Sequence, residues 1–274
     1  MLNLISFDPL RTMNLPGVSF AKPENFFRQI ERIKAADWVL FPDYWQVNAL
    51  VFGLKRRIFP SLASYLIGHD KVEMTRGFLS VAPAHVPETL IYSVSPENAD
   101  AVWDQMTTPF VAKFPRSSMG SGVFLIHTRR DWRRYLELTP VIYAQEYLPI
   151  ERDLRIVTVG YRIMGGFWRL QSDRSFHNNL SQGGRIDLSP IPEAAVELVK
   201  RLATELGINY GGFDIAMVGG FPYVLEFNRL FGSNSLNLNR EQISRAIMET
   251  LVVGADTRGP DTPCTPAPIL PKAA

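Results

Sequence analysis

The sequence predicts an α+β protein that begins with a small α/β unit. Short apolar runs typical of strands alternate with a helical stretch in the first 68 or so residues. Two later segments each combine strand-like runs with a helix, and the last contains two apolar runs joined by Gly219-Gly220, which is typical of a β-hairpin. A hydrophobic fraction of 46% in 274 residues is enough for sizeable cores.

Four segments follow from these patterns. Residues 1–68 form the small α/β unit, with an apolar run at 2–7, a helical stretch at 23–36 and a second apolar run at 38–41. Residues 69–140 contain strands at 110–113 and 123–126 and a helix at about 130–138. Residues 141–256 contain strands at 141–148 and 154–159, a helix at 193–206 that stops at Gly207, the hairpin and a last helix. Residues 257–274, rich in proline, are expected to form a flexible tail.

Bulk properties exclude several classes of protein. The 29 basic and 27 acidic residues give a net charge of +2, too small to predict a nucleic-acid or anionic-membrane partner. No apolar run approaches the about 18 residues of a membrane span, and the start lacks the pattern of a signal peptide. The one cysteine, Cys264, has no partner for an internal disulfide, so we expect a cytoplasmic protein.

The hairpin carries the strongest chemical signal. Glu226 and Asn228 are two residues apart on a strand and point to the same face. A three-residue loop at 219–221 places Asp214 opposite Glu226, whereas a two-residue loop turns Asp214 to the other face; we predict the three-residue loop. Carboxylate and amide oxygens on one face suit Mg²⁺, and a solvated polar face is the alternative. Apolar residues are expected to fill the opposite, buried face: Phe213, Ile215, Leu225 and Phe227.

A second candidate site is the segment from Lys113 to Gly122, a strand-borne lysine followed by a loop of small residues. Gly120 and Gly122 allow backbone amides to approach phosphate oxygens closely. The lysine precedes the loop, so the segment differs from the GxxxxGK[ST] phosphate-binding pattern. An ordinary turn between two strands is the alternative interpretation.

The third candidate is the strand end at residues 144–149, whose backbone groups suit an adenine edge, with Asp153 close behind to accept from ribose hydroxyls. An ordinary strand is the alternative. Arg155 and Arg169 lie on successive predicted strands, and a guanidinium suits a phosphate or a developing oxyanion. Surface ion pairing would explain both arginines equally well.

Taken in chain order, these segments resemble the ATP-grasp superfamily, in particular the branch of RimK-type glutamate ligases and glutathione synthetases, from residue 60 to 250. The order of the motifs is more specific than any one of them. The matching pieces are Gly68-His-Asp70-Lys71, Pro87-Glu-Thr89, Val111-Ala-Lys113 with Ser118-Met-Gly120-Ser-Gly122-Val123, Gln145-Glu-Tyr-Leu148, Asp153-Leu-Arg155, Asn179-Leu-Ser-Gln-Gly-Gly184, Gly212-Phe-Asp214 and Leu225-Glu226-Phe-Asn228.

The resemblance implies an ATP-grasp fold, in which two α+β subdomains clasp ATP behind a small pre-ATP-grasp domain. It also implies a carboxylate–amine ligase that works through an acyl phosphate, on small-molecule substrates, with an amino acid or a peptide favoured. A homo-oligomer is compatible with it. The implied ligands are ATP and one or two Mg²⁺ ions, with Mn²⁺ as an alternative ion.

The resemblance assigns roles residue by residue. The implied phosphate contacts are Lys71, Lys113, Ser118, Gly120, Ser121 and Gly122. The implied adenine and ribose contacts are Glu146, Tyr147, Leu148 and Asp153. The implied metal ligands are Asp214, Glu226 and Asn228. The implied contacts to the triphosphate or acceptor are His177 and Asn179. Apart from the resemblance, we predict catalytic roles for Arg155, Arg169 and Arg229 from the chemistry of their guanidinium groups.

Two departures from the family pattern concern the substrate side. Where these ligases carry Arg-x-Asn, this chain has His177-Asn178-Asn179, which weakens the contact expected there. After Asn228 the family has a small residue and Pro-Gly, whereas this chain has Arg229-Leu230-Phe231. Arg229 suits a substrate carboxylate, with a surface ion pair as the alternative. Two other functions fit the same pattern: a non-catalytic ATP-binding module, and phosphoryl transfer to a carboxylate that a thiol or other nucleophile then captures.

Overall fold

The structure, a computed structural model, describes residues 2–117, 122–170, 185–231 and 240–256. The described residues form two compact units, one of residues 2–65 with 240–256 and the other of the described residues from 66 to 231. The last helix therefore groups with the N-terminal unit, whereas the sequence analysis placed it in the third segment. Within the described ranges no helix combines the length and apolar character needed to cross a bilayer.

The first unit is built on a parallel four-stranded sheet with the strand order β2-β1-β3-β4. Its strands are β1 (Leu4–Ser6), β2 (Val18–Phe20), β3 (Trp38–Leu40) and β4 (Arg57–Phe59). Its helices are α1 (Pro9–Thr12), α2 (Ile30–Lys34), α3 (Tyr44–Asn48) and α9 (Arg240–Asp256). A 3-10 helix (Pro23–Gln29) precedes α2, and a π-helical turn (Ala49–Gly53) follows α3. Helix α4 (Leu62–Gly68) leads into the second unit along the chain. Ile5, Val39 and Ile58 fill its core from neighbouring strands, as expected for a small α/β unit.

The second unit begins with an antiparallel four-stranded sheet, here called the lysine sheet, in the order β5-β8-β6-β7. Its strands are β5 (Thr89–Ser93), β6 (Phe110–Lys113), β7 (Val123–Ile126) and β8 (Val141–Glu146), and the helices are α6 (Pro96–Gln105) and α7 (Arg129–Leu136). The predicted bounds of β6 and β7 are confirmed. Trp132 and Tyr135 of α7 pack with Phe110 and Ile142 into a core on one face of this sheet. The other face is left for polar chemistry.

The other sheet of the second unit, here called the acid sheet, has five strands in the order β11-β10-β9-β12-β13, all antiparallel. Its strands are β9 (Arg152–Val159), β10 (Arg162–Leu170), β11 (Arg185–Asp187), β12 (Tyr210–Val218) and β13 (Phe221–Asn228). Helices α5 (Lys71–Val81) and α8 (Glu193–Glu205) cover one face, where Phe213, Ile215 and Phe227 are buried. Helix α8 ends before Gly207, whose φ of 69° suits a glycine stop, as predicted.

The hairpin of β12 and β13 corrects one prediction and confirms another. Val218 pairs with Phe221, so the turn has two residues, Gly219 and Gly220, with φ of 57° and 84°. The predicted three-residue loop is therefore wrong, because two glycines satisfy the positive φ of a tight hairpin turn. A bulge then shifts the register, since Ile215 pairs with Val224 while Asp214 pairs with Glu226.

The predicted pairing of Asp214 with Glu226 is thus confirmed, although a bulge produces it rather than a three-residue loop. Leu225 is the extra residue of the bulge and is half-buried, whereas Phe213, Ile215 and Phe227 fill the buried face as predicted. Val224, which is 1% exposed, takes the core position that the sequence analysis gave to Leu225.

Candidate functional site

Lys113, the last residue of β6, lies on the open face of the lysine sheet and is buried. Sheet pleating puts it on the same face as Tyr143 and Gln145 of β8. Its Nζ donates a hydrogen bond of 2.7 Å to Gln145 Oε1 and stands 5.7 Å from the centre of the Tyr143 ring. Burial lowers the pKa of Lys113 to about 8, against the attraction of Glu226, which raises it.

The strands separate at this lysine, and a tyrosine fills the gap. The ladder between β6 and β8 runs only as far as Ala112 and Ala144. The Tyr135 hydroxyl then accepts from the Tyr143 N–H at 3.1 Å and donates to the Lys113 carbonyl at 2.8 Å. The backbone of the lysine is therefore fixed from the core side of the sheet. Burial raises the pKa of Tyr135 to about 12, which keeps this donor protonated at neutral pH.

Lys71, the first residue of α5, joins Lys113 from another element. Its Nζ donates to the Ser117 carbonyl at 2.8 Å and lies 4.0 Å from Glu226 Oε2. Asp70 caps α5 by accepting from Val72 N at 2.8 Å and also accepts from Arg116 Nε at 3.2 Å. The start of α5 and the stem of the loop after β6 are therefore tied together beside Glu226.

Gly122 closes the described stem of the predicted phosphate loop. A Cβ at this position would lie 2.6 Å from Ser117 and 3.0 Å from the Phe114 Cβ, so only glycine fits without a shift. Its carbonyl accepts from Phe114 N at 2.8 Å. The predicted phosphate contacts Ser118, Gly120 and Ser121 lie outside the described residues.

Glu226 and Asn228 extend from β13 to the face of the acid sheet that α5 and α8 leave open. Both side chains are partly exposed, and Asn228 Nδ2 donates to Glu226 Oε1 at 3.1 Å. The amide oxygen of Asn228 is therefore directed away from the carboxylate. Lys71 approaches the other carboxylate oxygen of Glu226, so this acid lies beside the first residue of α5.

Four charged side chains form a buried network on the same face, here called the charge quartet: Asp153, Arg155, Arg169 and Asp214. Arg155 donates two hydrogen bonds of 2.7 Å to Asp214, and Arg169 donates to Asp153 at 2.7 and 2.6 Å. A further contact of 3.0 Å joins Arg169 to Asp214. Burial alone would raise the pKa of Asp214, but attraction to Arg155 and Arg169 holds this pKa below its ordinary value. The quartet is charge-balanced.

The charge quartet affects the roles predicted for Asp153, Arg155 and Arg169. Both carboxylate oxygens of Asp153 accept from Arg169, and Asp153 is only 5% exposed. The predicted contact of Asp153 with a ribose hydroxyl stays a prediction, in which the ribose would share this carboxylate with Arg169. The exposed ion pairs considered for Arg155 and Arg169 are in fact buried ones. Sequence spacing placed both arginines on neighbouring strands, as observed, but did not reveal their partners.

The possible donors to a metal ion are Glu226, the amide oxygen of Asn228 and Asp214, which is bound by two arginines. A carboxylate has about four lone-pair positions, and the contacts of Arg155 and Arg169 occupy three of those on Asp214. One position on Oδ1 is left to join the oxygens of Glu226 and Asn228. Across the described part of the chain, no cluster of three or more His, Cys, Asp or Glu side chains is close enough to hold a metal. Oxygen donors of this kind fit Mg²⁺, which keeps several waters.

The predicted adenine segment lies at the end of β8. The strand ends at Glu146, two residues earlier than predicted, so Tyr147 and Leu148 lie just beyond it, and all three are half-buried. The Glu146 N–H donates to the Glu88 carbonyl at 2.8 Å, and the Leu148 carbonyl accepts from Ile150 N at 2.9 Å. These backbone groups are partly committed within the protein.

Of the remaining predicted residues, Arg229 is described and half-buried directly after β13, and its Cβ lies 3.8 Å from the point that a Cβ on Gly68 would occupy. His177 and Asn179 lie outside the described residues. Sequence reasoning gave no role to Thr89, Tyr143 or Gln145, although Thr89 and Gln145 stand in the matched motifs. Side chains alternate between the two faces of the sheet along β8, so Gln145 lies on the face opposite to Glu146. That face is the one that carries Lys113.

Comparison with known proteins agrees with this geometry. A family model described as the RimK-like ATP-grasp domain matches residues 69–251. The chain is 28% identical over 186 residues to a probable alpha-L-glutamate ligase of Enterobacter sp. (strain 638), covering 63% of this chain and 62% of that protein. It is 28% identical over 141 residues to a ribosomal protein bS6--L-glutamate ligase of Escherichia fergusonii, covering 49% and 47%. The chain thus spans less than two thirds of these relatives.

Solved structures agree on the fold. The D-alanine--D-alanine ligase of Bacillus anthracis superimposes with a TM-score of 0.72 at 14% identity, covering 94% of this chain and 100% of that one. A RimK domain protein ATP-grasp of Sphaerobacter thermophilus gives 0.61 at 17% identity, covering 79% and 81%. The expected ATP-grasp fold is confirmed. Because the family model covers most of the chain and spans both lysines, Glu226 and Asn228, this protein belongs to the RimK-like ATP-grasp family.

Proposed function

We propose that this protein is an ATP-dependent carboxylate–amine ligase. The observation that carries the proposal is the approach of Lys71 Nζ to within 4.0 Å of Glu226, with Asn228 beside Glu226 and the buried Lys113 near enough for Glu226 to raise its pKa, in a chain of the RimK-like ATP-grasp family. Two cations and an acid with a neighbouring amide suit a polyphosphate and its metal ion. A reaction that consumes ATP also suits the cytoplasm, where we place the protein.

The proposed reaction has two steps. A carboxylate oxygen of the first substrate attacks the γ-phosphorus of ATP, forming a new O–P bond while the β–γ bridging bond breaks and ADP leaves. An amine then attacks the acyl carbon, the C–N bond forms, and phosphate leaves with the carboxylate oxygen as the amine loses a proton. Lys71 and Lys113 neutralise phosphate charge, and no side-chain nucleophile is required.

Glu226 and Asn228 would hold Mg²⁺, with the remaining Oδ1 position of Asp214 as a third donor. A bound magnesium ion supplies Lewis-acid neutralisation of the transferring phosphoryl group. The charge quartet supports a different role for Arg155 and Arg169 from the catalytic one predicted from the chemistry of their guanidinium groups. In this proposal both arginines are positioning residues, because their guanidinium groups hold Asp214 in place.

An amino acid or a peptide is the substrate class that we propose, with L-glutamate as the first amine to test. Relatives of the chain are named as an alpha-L-glutamate ligase and as a ribosomal protein bS6--L-glutamate ligase, which supports this choice. Arg229 follows the metal-binding strand directly and suits the α-carboxylate of such a substrate. Whether the acylated partner is an amino acid, a peptide or a protein terminus is decided by the substrate screen.

A non-catalytic ATP-binding module is the second candidate, and one observation favours it. Two arginines already neutralise Asp214, so this acid is a weaker metal ligand than a free carboxylate would be. A module of this kind binds the nucleotide without consuming it. Release of ADP that depends on both an amine and a carboxylate separates the two functions.

Calorimetric titration with a non-hydrolysable ATP analogue, with and without Mg²⁺, tests the nucleotide site first. The wild-type protein is expected to bind more tightly with Mg²⁺, and Glu226→Gln should lose that dependence while it keeps its fold. Glu73→Gln is the matched control, because Glu73 is an exposed acid on α5 that pairs with the exposed Arg76. An amine and carboxylate screen with ADP detection follows. The absence of nucleotide binding would reject both functions, and binding without substrate-stimulated ADP release would leave only the module.

A further inference from the structure

The segment Pro87-Glu88-Thr89 matches the family pattern, yet the proposed function gives it no role. It leads into β5, at the edge of the lysine sheet. Thr89 is the first residue of β5 and lies directly opposite Gln145 of β8. Directly opposed residues of antiparallel strands have their side chains on one face, about 5 Å apart. Thr89 therefore shares the face that carries Gln145 and Lys113.

The hydroxyl of Thr89 has a defined direction. Its Oγ1 donates to the Pro87 carbonyl at 2.7 Å. A threonine hydroxyl has a single proton, so toward other groups Oγ1 acts only as an acceptor. Gln145 Nε2 lies 2.9 Å from this oxygen and donates to it.

The direction of that bond fixes the Gln145 amide. Its Nε2 faces Thr89 and, at 3.4 Å, the Tyr143 hydroxyl, so its Oε1 faces Lys113. A reversed amide would direct N–H groups at the ammonium and leave Thr89 Oγ1 without its donor, which costs free energy in a buried site. Gln145 is 3% exposed, so water cannot compensate.

Lys113, the last member of this series of hydrogen bonds, keeps N–H donors for a ligand. Within the described ranges, Gln145 Oε1 is the acceptor recorded for Lys113 Nζ. An ammonium group carries three donors, so two directions are left for phosphate oxygens. The side chain is thus held by one neutral acceptor, rather than by a carboxylate that would compete with a phosphate for the charge.

We propose that Thr89 is a positioning residue for the nucleotide site: its hydroxyl, directed by the Pro87 carbonyl, orients the Gln145 amide so that the amide oxygen holds Lys113 toward the phosphates. The inference rests on the proposed nucleotide site but not on the ligase chemistry. Thr89 acts through Gln145 and touches no ligand itself. The chemical class of ligand that it serves is a nucleoside polyphosphate.

Thr89→Val tests the proposal, because valine keeps the shape and removes the hydroxyl, and Thr89→Ser restores the hydroxyl. Ser93→Ala is the matched control, since Ser93 is an exposed hydroxyl on the same strand and face. The first readout is the side-chain amide signal of Gln145 in ¹⁵N-labelled, ligand-free protein, assigned with Gln145→Met. The second is the Kd of the ATP analogue with Mg²⁺.

Thr89→Val is expected to shift the Gln145 amide signal and to raise the Kd about tenfold, the scale of one lost hydrogen bond to a charged-site group. Thr89→Ser and Ser93→Ala should match the wild type in both. If Thr89→Val does not fold, Thr89→Ala provides the same two readouts. An unmoved amide signal or an unchanged Kd in folded Thr89→Val, or in Thr89→Ala where valine does not fold, would overturn the inference. Wild-type protein that binds nucleotide but makes no amide would instead reject the ligase function alone.

Discussion

Arg155 and Asp214 are paired directly across strands β9 and β12 and joined by two parallel hydrogen bonds of 2.7 Å. The pair is nearly closed to solvent, with side-chain exposures of 16% and 5%. A buried carboxylate needs compensation for its lost hydration, and the two arginines of the charge quartet supply it. The hairpin of β12 and β13 is thereby fixed to the strand beside it.

Arg155→Met is therefore expected to lower the free energy of unfolding by about 3 kcal/mol, because it leaves Asp214 buried with only the weaker contact to Arg169. Urea denaturation measures the change. Lys200→Met is the control, since Lys200 forms an exposed pair with Glu197 and should change stability by less than about 1 kcal/mol. Equal effects of the two variants would contradict a structural role for the quartet.

The depressed pKa of Lys113 predicts a pH dependence of stability. Between the folded pKa of about 8 and the ordinary value of 10.5, the unfolded chain binds more protons at Lys113 than the folded chain does. The free energy of unfolding therefore gains a contribution that grows as the pH rises through this window, by up to about 3 kcal/mol. Below the folded pKa, the charged lysine costs this amount in the native state.

The contribution of Lys113 is isolated by comparison with Lys113→Met, because other groups titrate in the same range. The difference in unfolding free energy between the two proteins should change steadily from pH 8 to pH 10 in the direction that favours the wild type. A difference that is constant across this range would show that the lysine keeps its ordinary pKa in the folded protein.

Gly122→Ala is expected to weaken nucleotide binding several-fold. The free energy of unfolding should fall by less than the free energy of nucleotide binding does. The added Cβ meets Ser117 at 2.6 Å and displaces the stem that Lys71 also contacts. Gly53→Ala is the matched control, since its Cβ meets nothing within 4 Å, and a gain of about 0.5 kcal/mol is expected there. Titration with the ATP analogue and thermal unfolding measure both effects. Wild-type affinity in Gly122→Ala would show that the stem does not shape the site.

Much of the fold was predictable from local patterns. The strands at Phe110–Lys113 and Val123–Ile126 have the predicted bounds, because apolar runs and a small-residue loop specify them locally. The register of the hairpin was harder to predict from the sequence. We predicted a three-residue loop, whereas the glycine pair forms a two-residue turn, and the bulge at Leu225 is what brings Asp214 opposite Glu226. A bulge depends on how β12 and β13 pack on their neighbours, which local sequence does not encode.

The sequence indicated which residues belong to the candidate site, but it did not indicate which of them contact one another. Lys71 lies 4.0 Å from Glu226, and both residues act on the pKa of Lys113, while the roles of all three toward ATP stay predictions. The pairing of Asp153 with Arg169 was not predicted, because strand order and register decide which charges meet across a sheet. Thr89 acquires its contact to Gln145 in the same way, through the pairing of two strands far apart in sequence.

Transfer of ¹⁸O from the carboxylate substrate to phosphate tests the ligase mechanism most directly. The carboxylate that the screen selects is labelled with ¹⁸O in both oxygens and incubated with the protein, ATP, Mg²⁺ and the amine, and the released phosphate is analysed by mass spectrometry. An acyl phosphate intermediate predicts one ¹⁸O in phosphate for each amide formed, with ADP as the nucleotide product. Unlabelled phosphate, or label in AMP, would contradict the proposed ligase mechanism.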